Sequence, residues 1–143
     1  MMTPPRFAFV KARWHADIVD QALVGFQDFI PDVDVFEVPG AFELPLFALR
    51  IAPRYRAVAC AAFVVDGGIY RHDYVAGAVV KGLLDVGLKT DTPVLSVCLT
   101  PHQFQETPHH IEIYQAHFRL KGREAAEAAL AITGAYDGLA ASA

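Results

Sequence analysis

The segment Val64–Val75, VVDGGIYRHDYV, sets two glycines beside an arginine, a histidine and an aspartate. Gly67 and Gly68 let the backbone come close to a ligand. Unpaired N–H groups where a helix begins form an anion site, and the helix is expected to start near His72. Arg71 can neutralise a phosphate or a developing oxyanion. His72 is the residue type best suited to moving protons near neutral pH. Asp73 reads first as a helix cap and second as a partner that orients His72. The same residues also fit an ordinary polar turn, so their neighbours in the fold decide between the two.

Further candidates sit at other turns. Trp14, the only tryptophan, is either a core or interface aromatic or a flat surface for stacking a heteroaromatic ring. Glu43 follows Pro39 and Gly40 in the first turn of a helical pattern. There a carboxylate favours the helix dipole, while free N–H groups can hold a polar ligand edge. Ser96 and Thr100 stand within and at the end of a strand pattern. His102, His109, His110 and His117 fall in a segment with two prolines, read as a loop. They lack the tight Cys/His pairs of a structural zinc site. An anionic substrate held by one or two of them, or by Lys121, is the better reading.

Four segments must position these groups. RFAFVKA (from Arg6), VDVFEVP (from Val33), AVACAAFVVD (from Ala57) and PVLSVCLT (from Pro93) read as strands. The third and fourth are nearly continuous apolar runs, the mark of strands covered on both faces. Helical patterns separate them. The first carries Ile18, Val19, Ala22, Leu23, Phe26, Phe29 and Ile30 at helical spacing. GAFELPLFALRIA follows, with Pro45 in its first turn. HDYVAGAVVKGLLDVGL carries Val75, Val79, Leu83 and Val86 on one stripe. KGREAAEAALAITGAY is rich in strong helix formers. Alternation of this kind predicts an α/β fold, with βαβ units and a parallel sheet between helices. Ligands of such sheets bind outside the carboxyl ends of the strands. That directs attention to the residues after Lys11, Val38, Val65 and Leu99.

The chain of 143 residues suits one domain, 1–143, with a sizeable core. A hydrophobic fraction of 54% against 20% charged residues predicts that some apolar surface is buried between subunits. A formal net charge of −4 without a Lys/Arg run argues against a nucleic-acid partner. Cys60 and Cys98 lie inside apolar runs and read as buried, reduced thiols. No signal peptide or membrane-spanning run is visible, so a soluble cytoplasmic protein is the default expectation.

Taken together, RW after the first strand, VPGAFELP after the second, AAFVVDGGIYRHDYV through the third crossing and PVLSVCLT before the last loop resemble the lumazine synthase family. The resemblance spans almost the whole chain. It implies a flavodoxin-like, three-layer α/β/α sandwich around a four-stranded parallel sheet. It implies condensation of 5-amino-6-(D-ribitylamino)uracil with 3,4-dihydroxy-2-butanone 4-phosphate to 6,7-dimethyl-8-ribityllumazine, phosphate and water, in riboflavin biosynthesis. No cofactor or metal is implied. The partners would be the two substrates and further copies of the chain, as a pentamer or a dimer of pentamers, with a neighbouring subunit completing the site.

By motif, Trp14 takes the place of the aromatic residue that stacks on the pyrimidinedione. Gly40, Ala41, Phe42 and Glu43 match the segment that holds the ribityl chain. Phe63, Val64 and Val65 match the strand end that pairs with the pyrimidine edge. Gly67, Gly68 and Ile69 match the turn that meets the phosphate. Ser96 occupies the place of another pocket-lining residue, and His110 falls near that of a phosphate-binding arginine. Lys121 resembles a lysine just before the last helix. One departure stands out: most of the family has two small polar residues and then a catalytic histidine where this chain has Ile69, Tyr70 and Arg71. The variant resembles the type II branch. It puts Arg71, which stays charged, at the catalytic place with His72 one residue later. Two other readings are an archaeal-type riboflavin synthase of the same fold, and a lumazine- or flavin-binding protein with little turnover.

Overall fold

A computed structural model describes residues 6–65, 72–102 and 104–142. Four strands, β1 (Phe7–Ala12), β2 (Asp34–Val38), β3 (Ala57–Phe63) and β4 (Val94–Leu99), form one parallel sheet in the order β2-β1-β3-β4. Helices α1 (Ala16–Phe29) and α4 (Pro108–Ala141) cover one face, and α2 (Leu44–Ile51) and α3 (His72–Thr90) the other. This is the α/β/α layering expected from the alternating pattern.

The two faces follow from the two-residue period of a strand. On β3, Ala57, Ala59, Ala61 and Phe63 join the core under α1 and α4, while Val58, Cys60 and Ala62 join the one under α2 and α3. Every residue of β3 is buried, which is why that strand reads as an unbroken apolar run. Its alanines leave room for helices on both sides. Cys60 and Cys98 are free, buried thiols, and burial pushes the Cys98 thiol up to about 11.

Several details differ from the sequence reading. The helix expected over GAFELPLFALRIA is α-helical only over Leu44–Ile51, with 3-10 turns at Ala41–Glu43 and Ala52–Arg54. β3 ends at Phe63, so Val64 and Val65 lie past the strand rather than within it. Phe29, expected on the buried stripe of α1, is 46% exposed at the helix end. The largest difference is α4, which starts at Pro108 and runs 34 residues. His109, His110 and His117 are therefore helical, and only His102 lies in the loop. Pro108 misled because proline usually interrupts a helix. At the first helical position its missing N–H costs nothing. The Thr107 side chain caps the end by accepting from the His110 N–H at 3.3 Å.

Helices α1 and α4 meet at their glycines. A Cβ added to Gly122 would lie 1.9 Å from the Ala22 carbonyl oxygen, and one added to Gly25 would lie 2.0 Å from that of Arg119. Backbone thus packs on backbone there. Asp28 closes the same seam, accepting from Arg123 at 2.7 Å and from Arg119 at 3.4 Å, and these partners hold its carboxyl below the ordinary value. No helix among the described residues is long and apolar enough to cross a membrane.

Candidate active site

The sheet order creates one switch point. The chain leaves β1 towards β2 on one side, and leaves β3 towards β4 on the other, yet β1 and β3 are neighbours. Their outgoing connections therefore part and leave a crevice at their carboxyl ends. A cleft of about 450 Å³ lies there.

Each wall comes from a separate strand end. β1 contributes Ala12, Trp14 and His15; the turn after β2 contributes Gly40, Ala41, Phe42 and Glu43; the end of β3 contributes Ala62, Phe63, Val64 and Val65. His72 and Val75 from the start of α3, with Glu106, complete the lining. Eight of the binding residues expected from sequence are thus brought together with His72. Gly67, Gly68, Ile69 and Arg71 lie outside the described residues.

Trp14 is 71% exposed and Phe42 74%. Neither serves the core of this chain; both offer ring surface to the cleft. The indole lies across Gly40, with its edge 3.7 Å from where a Cβ would stand. Glu43 has a local task as well: its Oε1 accepts the Gly40 N–H at 3.0 Å. That bond pins the turn between β2 and α2, while the carboxylate still borders the cleft. The local bond to Gly40 and a place on the cleft wall are compatible.

The floor is held by the β3–β4 ladder. Val64 N–H donates to the Leu99 carbonyl at 2.9 Å, extending the parallel pairing one residue past β3. Thr100 donates its hydroxyl to the Val64 carbonyl at 2.6 Å and also contacts His72 Nδ1.

Two polar residues that sequence reading did not single out line the cleft. His15 has φ 58° and ψ 44°, the left-handed region, at the N-cap of α1. Its ring packs edge-on against Phe63 and Phe104. Glu106 adds a second carboxylate. Neither carries a local signal, since both reach the cleft only through the folding of their loops.

Other expected residues lie elsewhere in the chain. His110 Nδ1 accepts the Gln105 N–H at 3.1 Å, so in the neutral ring Nε2 bears the proton and is a donor. The ring sits beside Phe104 and Tyr114, behind Phe63. Ser96 and Lys121 line a different groove of about 280 Å³ at the outer edge of β4, with Leu95, Leu99 and Glu124. Lys121 pairs with Glu124 at 2.9 Å, and Ser96 accepts the Cys98 N–H at 3.3 Å. Within one chain, then, Ser96 and Lys121 form a second group apart from the cleft, while His110 sits just behind the cleft wall. Among the described residues, no three His, Cys, Asp or Glu side chains gather into a metal site.

Comparison with known proteins matches residues 4–136 to the family model for 6,7-dimethyl-8-ribityllumazine synthase. A 6,7-dimethyl-8-ribityllumazine synthase of Rhodococcus erythropolis is 54% identical over 132 residues, 86% of this chain and 85% of the relative. A 6,7-dimethyl-8-ribityllumazine synthase 2 of Bradyrhizobium diazoefficiens is 51% identical over 132 residues, covering 87% and 80%. Another, of Pseudomonas syringae pv. tomato, is 50% identical over 131 residues, covering 85% and 77%.

Proposed function

The chain belongs to the 6,7-dimethyl-8-ribityllumazine synthase family, and we propose that the cleft at the β1–β3 switch point is where it binds and joins its two substrates. The reaction is the condensation of 5-amino-6-(D-ribitylamino)uracil with 3,4-dihydroxy-2-butanone 4-phosphate. The amine adds to the ketone and water leaves to give an imine. Phosphate is then eliminated, and the resulting enol tautomerises to a ketone. The ribitylamino nitrogen attacks that carbonyl with loss of a second water, which closes the lumazine ring. Since no group is transferred to the protein, the acceleration comes from holding two reactants in register, with proton transfer adding to it.

The observation that carries this reading is the convergence of Trp14, Gly40–Glu43 and Phe63–Val65 on one cleft beside His72. Trp14 stacks on the pyrimidinedione, as its exposed face at the mouth suggests. Ala41, Phe42 and Glu43 flank the ribityl chain. Phe63, Val64 and Val65 border the pyrimidine edge; the Val64 N–H is already bound to Leu99, so it is not among the donors to the ring. Gly67, Gly68 and Ile69 supply N–H groups to the phosphate. Arg71 stabilises the charge on the leaving phosphate, and His72 takes up and returns the protons of imine formation.

Ser96 and Lys121 are assigned to the cleft of a neighbouring copy. The support is their separation from this chain's own cleft, together with the apolar surface left uncovered. His110 stays a phosphate-side candidate behind Phe104 and Phe63 of this chain's own cleft. Val80, Leu84 and Leu88 recur every four residues on α3 and are exposed, next to exposed Leu46 and Leu49 of α2. A pentamer or dimer of pentamers covers such surface and completes each site. Residues 1–143 form one domain in this reading.

The direct test mixes purified protein with both substrates and follows lumazine by absorbance and phosphate by release. Turnover above the spontaneous reaction is expected. Riboflavin formed from lumazine alone, or tight lumazine binding without turnover, would overturn the assignment. Arg71→Ala should lower turnover about 100-fold while changing pyrimidinedione affinity little. Equal turnover in mutant and parent would remove Arg71 from the mechanism.

A further inference from the structure

We propose that Thr100 is a positioning residue for the reaction: it holds His72 as the Nδ1–H tautomer, so that Nε2 carries the lone pair that takes up protons. This inference rests on the proton-transfer reading of His72.

The tautomer follows from a count of hydrogens. The Thr100 hydroxyl has one proton and two lone pairs. It makes two contacts, one with the Val64 carbonyl at 2.6 Å and one with His72 Nδ1. A carbonyl oxygen can only accept, so the hydroxyl proton points to Val64. The contact with His72 then needs a proton from the ring, and Nδ1 must bear it. In a neutral imidazole with Nδ1 protonated, Nε2 is the basic nitrogen. Without this partner, imidazole in water favours the opposite tautomer, with Nε2 protonated and unable to accept.

The arrangement is built into the sheet. Thr100 is the first residue after β4, where the ladder pairs Phe63 with Leu99 and joins Val64 N–H to the Leu99 carbonyl. That register sets Thr100 against Val64. His72 opens α3 and lines the cleft, 28 residues earlier in the chain. A threonine that merely finished a strand would need only the carbonyl bond. The second, long-range contact ties the wall of the cleft to the histidine. It also gives a physical reason why His72, rather than a residue elsewhere on the first turn of α3, can act as a base.

The test compares parent, Thr100→Val and Thr100→Ser in the assembled protein with 15N-histidine labelling. Ring-nitrogen chemical shifts of His72, assigned by their loss in His72→Gln, report the tautomer. The parent is expected to show protonated Nδ1, and Thr100→Val to show protonated Nε2. Turnover should fall about tenfold in Thr100→Val with little change in KM, and Thr100→Ser should recover most of the loss together with the parental tautomer. Protonated Nε2 in the parent, or parental turnover in Thr100→Val, would overturn the proposal. Parental turnover in His72→Gln would overturn the proton-transfer reading instead, while the spectra still decide what Thr100 does to the ring.

Discussion

At the residue scale, the cleft depends on side chains that the core does not need. Trp14 is the clearest case. A tryptophan buried in the core would lose several kcal/mol on truncation; one at the cleft loses mainly its ligand. Trp14→Ala is therefore expected to raise the pyrimidinedione dissociation constant about tenfold, the equivalent of ~1.4 kcal/mol, and to leave the melting temperature nearly unchanged. Isothermal titration and thermal unfolding check the two halves, and an unchanged dissociation constant would count against stacking. Glu43 is different, because its carboxylate both caps the Gly40 N–H and borders the cleft. The sequence offered Glu43 a helix-dipole role at a ligand-holding turn; only the turn geometry reveals its bond to Gly40.

At the element scale, the strands were legible because a buried central strand has a composition of its own. β3 is apolar along its whole length for the same reason that it is buried there. The start of α4 was not legible, since the prolines and histidines ahead of the alanine-rich part suggested a loop. The signal was nevertheless present: Ile111, Tyr114, Phe118, Gly122, Ala125 and Ala129 recur at helical spacing and lie towards the α1/α4 core. Gly122 allows a direct test of the α1–α4 seam. Alanine at an exposed helix position gains ~0.8–1 kcal/mol over glycine. At Gly122 the added methyl would meet the Ala22 carbonyl at 1.9 Å, and forcing atoms into a packed seam costs ~1–3 kcal/mol or more. The clash should win. Gly122→Ala is expected to lower the melting temperature by about 8 °C, whereas Gly134→Ala, where nothing lies within 4 Å, should raise it slightly. A Gly122→Ala protein as stable as the parent would disprove the close approach.

At the scale of the whole molecule, the single chain leaves large apolar side chains exposed. Leu84 is 63% exposed and Leu88 76%, a placement at odds with the cost of hydrating large apolar side chains. If a second copy covers this stripe, Leu84→Glu with Leu88→Glu should give a smaller species by light scattering. It should also lower turnover, because Ser96 and Lys121 would no longer reach a neighbouring cleft. A double variant of parental mass would exclude the stripe from the interface. The sequence by itself determined most element types, the parallel sheet and the strand ends as the place where a cleft forms. Those properties are local, set by a period of 2 or 3.6 residues and by turn residues next to each other in the chain. Tertiary structure alone decided that Ser96 and Lys121 stand apart from the cleft, that His15 and Glu106 join it, and that Thr100 touches both Val64 and His72. Each of these depends on strand order and register, which bring together residues dozens of positions apart and leave no mark on the residues in between.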